Sequence, residues 1–357
     1  MGMNLGDAAS IHAVILAGGK GTRFWPKSRA RLPKQLLPIV SDRTMVQETV
    51  ERLAPLIPAR RVWVVTGEDH AGELRDQLPD VPAAQIVVEP IGRNTAPAIG
   101  LAAALIARAD PRATMVVLPA DHHIRYGDRF RETLARAIDL ASAGTLLVTI
   151  GIEPTTPETA YGYIERGEEI AAGQNRVRRF TEKPDRTLAE DFVRSGRYLW
   201  NSGIFVWKVG AIREALARHL PDVVRGLERF VAAGSEEAAA AYRAIPDQSI
   251  DYGVLEKADN VAVVPGDFGW DDIGSWTALL RLGPADADGN VVRGRVLALS
   301  SRGNLAASDK RLIALIGVEG LVVIDTEDAV LVCSVDRVQD VKQIVDELHR
   351  RGWKEHL

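Results

Sequence analysis

The sequence predicts an α/β fold: a doubly wound, mostly parallel, Rossmann-like sheet followed by a small C-terminal β module of the β-helix type. Three observations predict this class. In the first half, short β-branched runs alternate with longer amphipathic segments, which is typical of a parallel sheet covered by helices. The short runs are apolar throughout, as expected for strands buried on both faces. Beyond residue 290, short β runs follow one another closely and are separated by glycines.

The first-half elements follow in order from these patterns. Five short apolar runs are predicted as strands, at residues 11–17, 61–66, 85–89, 114–119 and 145–150. Residues 94–109 carry apolar side chains at helical spacing and a proline in the first turn, which predicts a helix. Ligands of doubly wound sheets bind beyond the carboxyl ends of the strands, so we expect Gly18, Glu89 and Asp121 to converge on one cleft.

The second half is mixed. Further strands are predicted at residues 163–166, 176–180 and 203–207, and helices at 187–195 and 209–219. Residues 283–290 are rich in Gly, Pro, Asp and Ala and mark a boundary. Short strands then follow at 291–299, 312–316, 321–325 and 330–333, closed by a helix at 338–351. We therefore predict a flexible segment 1–10, a main domain 11–285 and a C-terminal β module 286–357.

Composition excludes several classes of function. Lys and Arg total 44 against 48 for Asp and Glu, so a general nucleic-acid surface is not expected. Cys333 is the only cysteine, which rules out an internal disulfide framework and a multi-thiolate metal site. No apolar run approaches the ~20 residues that span a bilayer, and residues 1–10 do not resemble a signal peptide. We expect a cytoplasmic protein with no membrane partner.

A glycine-rich turn follows the first predicted strand and supplies the first candidate nucleotide-binding residues: Leu16, Ala17, Gly18, Gly19, Gly21, Thr22 and Arg23. Glycines allow backbone N–H groups to approach phosphate, while Arg23 and Lys34 add positive charge. The turn matches neither a Walker A loop nor the dinucleotide-binding Gly-x-Gly-x-x-Gly spacing.

This turn, with the Pro33-Lys34 pair after it, resembles the amino-terminal signature of the sugar-1-phosphate nucleotidylyltransferases. Further ordered motifs resemble the mannose-1-phosphate guanylyltransferase family in particular. They are Glu89-Pro-x-Gly-Arg-Asn-Thr-Ala-Pro97, Pro119-Ala-Asp-His122, Gly162-Tyr-Ile-Glu165, Phe180-x-Glu-Lys-Pro184, Trp200-Asn-Ser-Gly-Ile-Phe205, Ser249-Ile-Asp-Tyr-Gly253 and Gly269-Trp-x-Asp-x-Gly-Ser-Trp276.

The resemblance implies that GTP and α-D-mannose 1-phosphate are the substrates, Mg²⁺ is the cofactor, and GDP-mannose and diphosphate are the products. A phosphate oxygen of the sugar phosphate attacks the α-phosphorus of GTP in line, without a covalent enzyme intermediate. Positioning and positive charge must then supply the catalysis. Two alternatives stay open: a related enzyme using another base or hexose, and a non-catalytic regulatory paralogue that binds a sugar nucleotide.

Roles at the nucleotide also follow from the resemblance. The turn from Gly18 to Thr22 would cradle the triphosphate, Arg23 would hold the departing phosphates, and Lys34 would stabilise the α-phosphate. As a loop lysine, Lys34 is expected to contribute little to core burial. Further candidates near the nucleotide are Arg93, Asn94, Thr95 and Pro119.

Asp121 and Asp272 are the candidate metal ligands, because each lies in a loop after an apolar run, where oxygen ligands for Mg²⁺ are commonly placed. Asp271 is adjacent, but the family's Trp-x-Asp spacing, counted from Trp270, selects Asp272. For His122 and the histidine that follows it, a loop role is favoured over metal binding.

The sugar-phosphate candidates rest on the resemblance alone. It implies that Glu182 accepts hydrogen bonds from sugar hydroxyls, Lys183 binds the sugar phosphate, Asn201 hydrogen-bonds the hexose, and Gly162 lets the sugar approach the backbone. Longer relatives carry a phosphomannose isomerase domain of the cupin type; since the sequence stops at residue 357, isomerase activity is not expected. The oligomeric state stays open, with a homodimer possible.

Overall fold

The computed structural model describes residues 11–19, 21–233 and 235–357. The predicted flexible segment 1–10 and Lys20 of the glycine-rich turn therefore lie outside the described residues. The strands are β1 (Ile11–Leu16), β2 (Val62–Gly67), β3 (Ile86–Glu89), β4 (Thr114–Pro119), β5 (His123–Ile124), β6 (Leu147–Ile152), β7 (Tyr163–Ala171), β8 (Gln174–Thr181), β9 (Tyr198–Lys208), β10 (Val261–Gly266), β11 (Trp270–Asp271), β12 (Val291–Arg293), β13 (Val296–Leu299), β14 (Leu305–Ser308), β15 (Ile313–Ile316), β16 (Leu321–Asp325) and β17 (Val330–Ser334).

The helices alternate with these strands. The α-helices are α1 (Met45–Glu51), α2 (Glu68–Gln77), α3 (Thr95–Ala109), α4 (Gly127–Ser142), α5 (Arg186–Ser195), α6 (Val209–His219), α7 (Pro221–Ala232), α8 (Ser235–Arg243), α9 (Thr277–Leu282) and α10 (Val341–Arg351). Short 3₁₀ turns lie at Thr22–Phe24, Lys34–Leu36, Ala59–Arg61, Ala83–Gln85, Val335–Asp340 and Lys354–His356, and a π-helix lies at Asp251–Leu255. None of the helices in the described part of the chain combines the length and the apolarity needed to cross a membrane.

The chain forms two compact units that do not follow its linear order. The first unit comprises the residues up to Gly18 together with Thr49–Ala120 and Ile124–Trp270. The second comprises Gly19–Glu48, Asp121–His123 and Asp271–Leu357. The predicted boundary at residue 285 stays a prediction, because these units group residues that are distant in sequence.

The first unit is built on a nine-stranded sheet with the order β3-β2-β1-β4-β9-β6-β10-β8-β7. The strands β3, β2, β1 and β4 run parallel, as the alternating pattern predicts, and β6 pairs in parallel with β10. The sheet is mixed beyond β4, because β9 returns antiparallel between β4 and β6, and β7 and β8 form an antiparallel hairpin. The prediction of a parallel sheet thus holds for its first half.

Helix α3 shows how local sequence builds this unit. Asn94 caps the helix, since its side-chain oxygen accepts a hydrogen bond from the Thr95 amide at 3.0 Å. The residues predicted to form the apolar face are fully buried in the main core, namely Ile99, Ala102, Ala103 and Ile106. The predicted helix at 94–109 is therefore confirmed, with Asn94 as its cap.

The second unit contains a coil of short parallel strands. Strands β12, β14 and β16 pair in parallel, with Val291 beside Leu305 and Leu305 beside Val322. Strands β13 and β15 form a second parallel pair. Asn304 is fully buried; its Nδ2 donates to Asn290 Oδ1 at 2.9 Å, and its Oδ1 accepts from the Leu321 amide at 2.8 Å. This ladder satisfies buried backbone groups at the corners of a β-helix-like module, which was predicted.

The glycine-rich turn and the β module share one core. The Phe24 ring lies 4.9 Å from that of Trp276, whose Nε1 donates to the Trp25 carbonyl at 3.1 Å. Trp25 Nε1 in turn donates to the His356 carbonyl at 2.9 Å. Each indole N–H therefore has an acceptor, and residues 19–48 fold together with residues 271–357.

Candidate active site

A cavity of about 390 Å³ lies within the second unit. It is lined by Gly21, Thr22, Arg23, Phe24, Lys34, Asp121, His122, Asp272, Gly274 and Lys342. The four residues predicted to be catalytic, which come from three distant stretches of sequence, all line it. The structure therefore brings together in one cavity the cations and carboxylates expected to act on a phosphate chain.

Lys34 is the most constrained of these side chains. Its ammonium group lies 2.8 Å from Asp121 Oδ2 and donates to the carbonyl oxygens of Asp272 at 3.1 Å and Ile273 at 2.8 Å. The expectation that Lys34 would add little to core burial is wrong, since the residue is only 6% exposed. The reason is its place in the short 3₁₀ turn Lys34–Leu36, whose residues are all buried.

The charge of Asp121 is set by two opposing effects. Burial raises the pKa of its carboxyl, but the nearby Lys34 ammonium and the His122 ring lower it, and the resulting pKa is below the usual range. Asp121 is therefore a carboxylate at neutral pH, as a metal ligand must be.

The two neighbouring aspartates have different surroundings. Asp272 lines the cavity and its Oδ1 accepts a hydrogen bond from the Gly274 amide at 3.1 Å. Asp271 does not line the cavity; its Oδ2 lies 2.7 Å from Arg281 Nη2, and its Oδ1 accepts from the Ile273 amide at 2.8 Å. Asp272, rather than Asp271, is thus the carboxylate that borders the cavity.

A divalent cation would fit this cavity. Within the described residues there is no cluster of three or more His, Cys, Asp or Glu side chains that could hold a metal by themselves. Asp121 and Asp272 supply two carboxylates next to Arg23 and Lys34, where phosphate oxygens could complete the coordination. This is the donor set of a cation that keeps waters and shares its ligands with a substrate phosphate.

Glycines shape the turn for two separate reasons. Gly21 has φ +58°, and a Cβ atom there would lie 2.5 Å from Lys34 Cβ, so the residue is needed for close packing. Around Gly19, by contrast, no protein atom lies within 4 Å of the position of a Cβ atom. The turn is held by hydrogen bonds from Gln35 Nε2 to the Gly19 carbonyl at 3.0 Å and from Ser28 Oγ to the Gly21 carbonyl at 2.7 Å.

Other predicted nucleotide-binding residues belong to the first unit. Leu16 and Pro119 are paired at the carboxyl ends of β1 and β4, and Ala17 and Gly18 follow directly after β1. The space where a Cβ atom of Gly18 would lie holds no protein atom within 4 Å. Glu89 differs from expectation: it is buried, and it accepts a hydrogen bond from the Tyr242 hydroxyl instead of lining a cleft.

Arg93, Asn94 and Thr95 hold down a segment distant in the sequence. Arg93 Nη2 donates to the Arg243 carbonyl. Asn94 Nδ2 donates to Asp247 Oδ1 at 3.0 Å, and Thr95 Oγ1 accepts from the amide of residue 250 at 2.8 Å. These contacts give the three side chains a structural role, and their contact with a nucleotide stays a prediction.

The predicted sugar-phosphate residues form one cluster in the first unit. A Cβ atom at Gly162 would overlap Glu182 Oε2 and lie 3.3 Å from Asn201 Cβ, so the three residues are in contact. Lys183 Nζ lies 2.6 Å from Glu182 Oε1. Burial lowers the pKa of Lys183, but hydrogen bonding and charge from Glu182 outweigh it and raise the pKa overall. The four residues that the resemblance selected are therefore adjacent.

Sequence reasoning missed two residues at these sites. Asp251, in the π-helix Asp251–Leu255, accepts a hydrogen bond from Asn201 Nδ2 at 2.9 Å. Its motif was recognised, although no role was given to its carboxylate. Lys342 lies on α10 and lines the cavity around Lys34. No signal in the sequence connects a lysine of the predicted β module with the amino-terminal turn.

Comparison with known proteins agrees with this geometry. The nucleotidyl transferase family matches residues 12–289, and the MannoseP isomerase/GMP-like beta-helix domain matches residues 294–348. The mannose-1-phosphate guanylyltransferase of Escherichia coli K12 is 39% identical, with 98% of this chain and 75% of the relative covered. The xanthan biosynthesis protein XanB of Xanthomonas campestris pv. campestris (strain ATCC 33913) is 42% identical, covering 97% and 75%.

A solved structure is also similar over nearly the whole chain. It is a mannose-1-phosphate transferase from Thermus thermophilus, described as a geranyltransferase, with 38% identity and a TM-score of 0.88 over 95% of this chain and 99% of that one. The chain therefore belongs to the nucleotidyl transferase family and carries a β-helix-like C-terminal domain. Within that family it is similar to the mannose-1-phosphate guanylyltransferases, which confirms the resemblance seen in the sequence.

These matches define the class of reaction. The chain is a nucleotidyltransferase, and enzymes of this family act on a nucleoside triphosphate and a sugar phosphate with a divalent metal ion. The predicted fold class is likewise confirmed.

Proposed function

We propose that this enzyme transfers GMP from GTP to α-D-mannose 1-phosphate, giving GDP-mannose and diphosphate. The observation that carries the proposal is the single cavity in which Lys34 contacts Asp121 and the backbone of Asp272. Relatives at 39% and 41% identity are named for this reaction. The cytoplasmic location expected from the sequence is part of the proposal.

The phosphate chain of GTP is proposed to bind in this cavity. Attack at the α-phosphorus brings two anions together and places charge on the transferring group, so fixed cations lower the barrier. Arg23, Lys34 and Lys342 are the cations that line the cavity. Lys34 is the best oriented, because three oxygen atoms hold its ammonium group in place. We assign it to the α-phosphate, and Arg23 and Lys342 to the departing diphosphate.

Asp121 and Asp272 are proposed to hold Mg²⁺. When bound, the ion supplies positive charge to the phosphate oxygens and orients them. The protein contributes the two carboxylates, and Lys34 keeps that of Asp121 ionised.

The hexose is proposed to bind at the cluster of Gly162, Glu182, Lys183 and Asn201. Glu182 Oε2 is buried and has no hydrogen-bond partner among the described residues, so it is an acceptor suited to a sugar hydroxyl. Lys183 carries the positive charge that a sugar phosphate requires. The absence of a side chain at Gly162 leaves room for Glu182.

Three other readings make different predictions. A related nucleotidylyltransferase would prefer another base or hexose, and a regulatory paralogue would bind a sugar nucleotide without turnover. Geranyl transfer, as in the description of the Thermus protein, would need an apolar pocket for a prenyl chain. The cavity described above has Phe24 as its only large apolar lining residue.

The decisive assay measures diphosphate release over a grid of nucleotides and sugar 1-phosphates, with and without Mg²⁺. We expect the highest kcat/KM with GTP and mannose 1-phosphate. Glucose 1-phosphate should be worse by about 1 to 3 kcal/mol, because the wrong epimer leaves a buried polar group unpaired. Equal rates with both sugars would contradict the specificity, no turnover with any pair would favour the regulatory reading, and transfer from geranyl diphosphate would favour the prenyl reading.

A further inference from the structure

The side-chain amide of Asn201 is held by hydrogen bonds at both ends. Its Oδ1 accepts from Thr149 Oγ1 at 3.2 Å and from the Gly203 amide at 3.2 Å. Its Nδ2 donates to Asp251 Oδ1 at 2.9 Å. Every one of these residues lies in the first unit, together with the sugar cluster.

These partners fix which way the amide faces. With the ends exchanged, the NH₂ group would meet the Gly203 N–H, a donor against a donor, and the oxygen would meet the Asp251 carboxylate, an acceptor against an acceptor. Asp251 uses one of the two N–H groups on Nδ2. The second N–H is thus directed by the same interaction and can donate to a ligand oxygen.

Asp251 also stands beside the other charged members of the cluster. Burial, followed by the charge of Glu182, raises the pKa of the Asp251 carboxyl to about 6, while hydrogen bonding by Asn201 and the charge of Lys183 lower it. Two carboxylates therefore share the neighbourhood of one lysine. Retaining Asp251 in such a place costs stability, which is characteristic of a group kept for function. Its position in a π-helix supports this, because such turns occur often at functional sites.

We propose that Asp251 is a positioning residue for sugar recognition: it locks the Asn201 amide so that an N–H group faces a hydroxyl oxygen of the hexose. This inference rests on the proposed function, because it assigns Asn201 to the sugar. It adds a residue that determines specificity by acting through another. The substrate contact is made by Asn201, and Asp251 sets the orientation of that contact.

The test compares Asp251→Ala, Asp251→Asn, Asn201→Ala and the double variant Asp251→Ala with Asn201→Ala. Asp251→Ala should raise KM for mannose 1-phosphate by about tenfold, the scale of one lost hydrogen bond, with KM for GTP changed less than about twofold. Asp251→Asn keeps an acceptor oxygen and should restore most of the affinity. The double variant should be no worse than Asn201→Ala, because both changes remove the same contact.

Asp110→Ala is the matched control, since Asp110 has only a structural contact in the same unit, accepting from the Arg112 amide at 3.1 Å. It should leave both KM values unchanged. The inference is overturned if Asp251→Ala lowers only thermal stability, or if its effect adds fully to that of Asn201→Ala. A wild-type enzyme that forms no GDP-mannose would overturn the proposed function itself. Normal wild-type turnover with an unchanged KM in Asp251→Ala would overturn the inference alone.

Discussion

The ammonium group of Lys34 lies 2.8 Å from the carboxylate of Asp121. This ion pair joins the cation proposed for the α-phosphate to a carboxylate proposed for the metal. Each charge stabilises the other in a cavity where Lys34 is almost completely buried. A substitution at either position will consequently act on both, and the predictions below allow for this coupling.

Replacing Lys34 by alanine should affect both catalysis and stability. We expect kcat to fall at least about 100-fold, the scale of one strong electrostatic contact in the transition state. Unfolding free energy should also fall, by about 1 to 3 kcal/mol, because Asp121 and two carbonyl groups lose their donor. Steady-state kinetics and urea unfolding measure the two effects. Lys310→Ala, at a side chain that is 76% exposed, is the control and should change neither.

Asparagine at Asp121 or Asp272 should preserve the fold and remove most turnover. Each change keeps the shape of the side chain but removes a charge from the proposed metal site, so we expect losses of about 100-fold or more in kcat. The double variant should be little worse than either single one, because both changes displace the same ion. Asp271→Asn is the internal control. A larger loss of activity in that variant than in Asp272→Asn would show that the wrong aspartate had been chosen.

Alanine at two glycines of the turn should separate packing from ligand approach. Gly21→Ala forces an αL conformation on alanine and a contact of 2.5 Å with Lys34 Cβ, so thermal stability and kcat should both fall. Gly19→Ala adds a methyl group where no protein atom lies within 4 Å, so stability should not change. If the Gly19 backbone cradles phosphate, KM for GTP should nevertheless rise several-fold. An unchanged KM would remove Gly19 from the nucleotide site.

Lys342→Ala should weaken GTP binding without affecting the fold. The side chain is exposed on α10 and lines the cavity, so its removal costs a cation but no core packing. We expect KM for GTP to rise about three- to tenfold, with less salt dependence than in the wild type. The melting temperature should not change, and Lys342→Arg should retain most of the affinity. Lys354→Ala is the control; equal effects of the two alanine variants would return Lys342 to the surface.

The sequence predicted the first half of the fold well, because local pattern and tertiary burial agree there. Strand β4 and helix α6 have the bounds that apolar runs and helical spacing predicted, at 114–119 and 209–219. Strand β9 was longer than predicted, because polar Asn201 and Ser202 interrupt its apolar run, although hydrogen bonds within the fold satisfy them. Antiparallel pairing of β9 depends on contacts between distant segments, which single-sequence patterns do not show.

The candidate site was predicted through motif order, and its contacts could not be. Nothing local to Lys34 indicates that its ammonium group would be buried against Asp121, because that pair depends on two loops meeting. The same holds for Asp251, whose role becomes visible only beside Asn201. Glu89 shows the opposite case: its position at a strand end suggested a cleft, but the Tyr242 hydroxyl pairs with it in the interior.

That buried pair predicts a pH dependence of stability. Burial raises the pKa of Glu89 to about 7 from its usual 4.5, although the hydrogen bond from Tyr242 opposes the shift. The folded state therefore binds this proton more tightly than the unfolded state does. The resulting stabilisation is complete below a pH of about 4.5 and is lost as the pH rises through about 7. Arg93 is the other charged group near the pair.

Glu89→Gln isolates this contribution, because the amide oxygen can still accept from Tyr242 but does not titrate. Between pH of about 5.5 and 8.5, wild type should lose about 2 kcal/mol of unfolding free energy relative to the variant, as linkage requires for these two pKa values. Urea unfolding of both proteins at the two pH values measures the difference, and groups such as Asp251 cancel because both proteins contain them. A constant difference across this range would show that Glu89 stays ionised in the folded protein. A difference that grows toward acid pH would mean that its pKa is lowered by the fold, and that the charge of Arg93 outweighs burial.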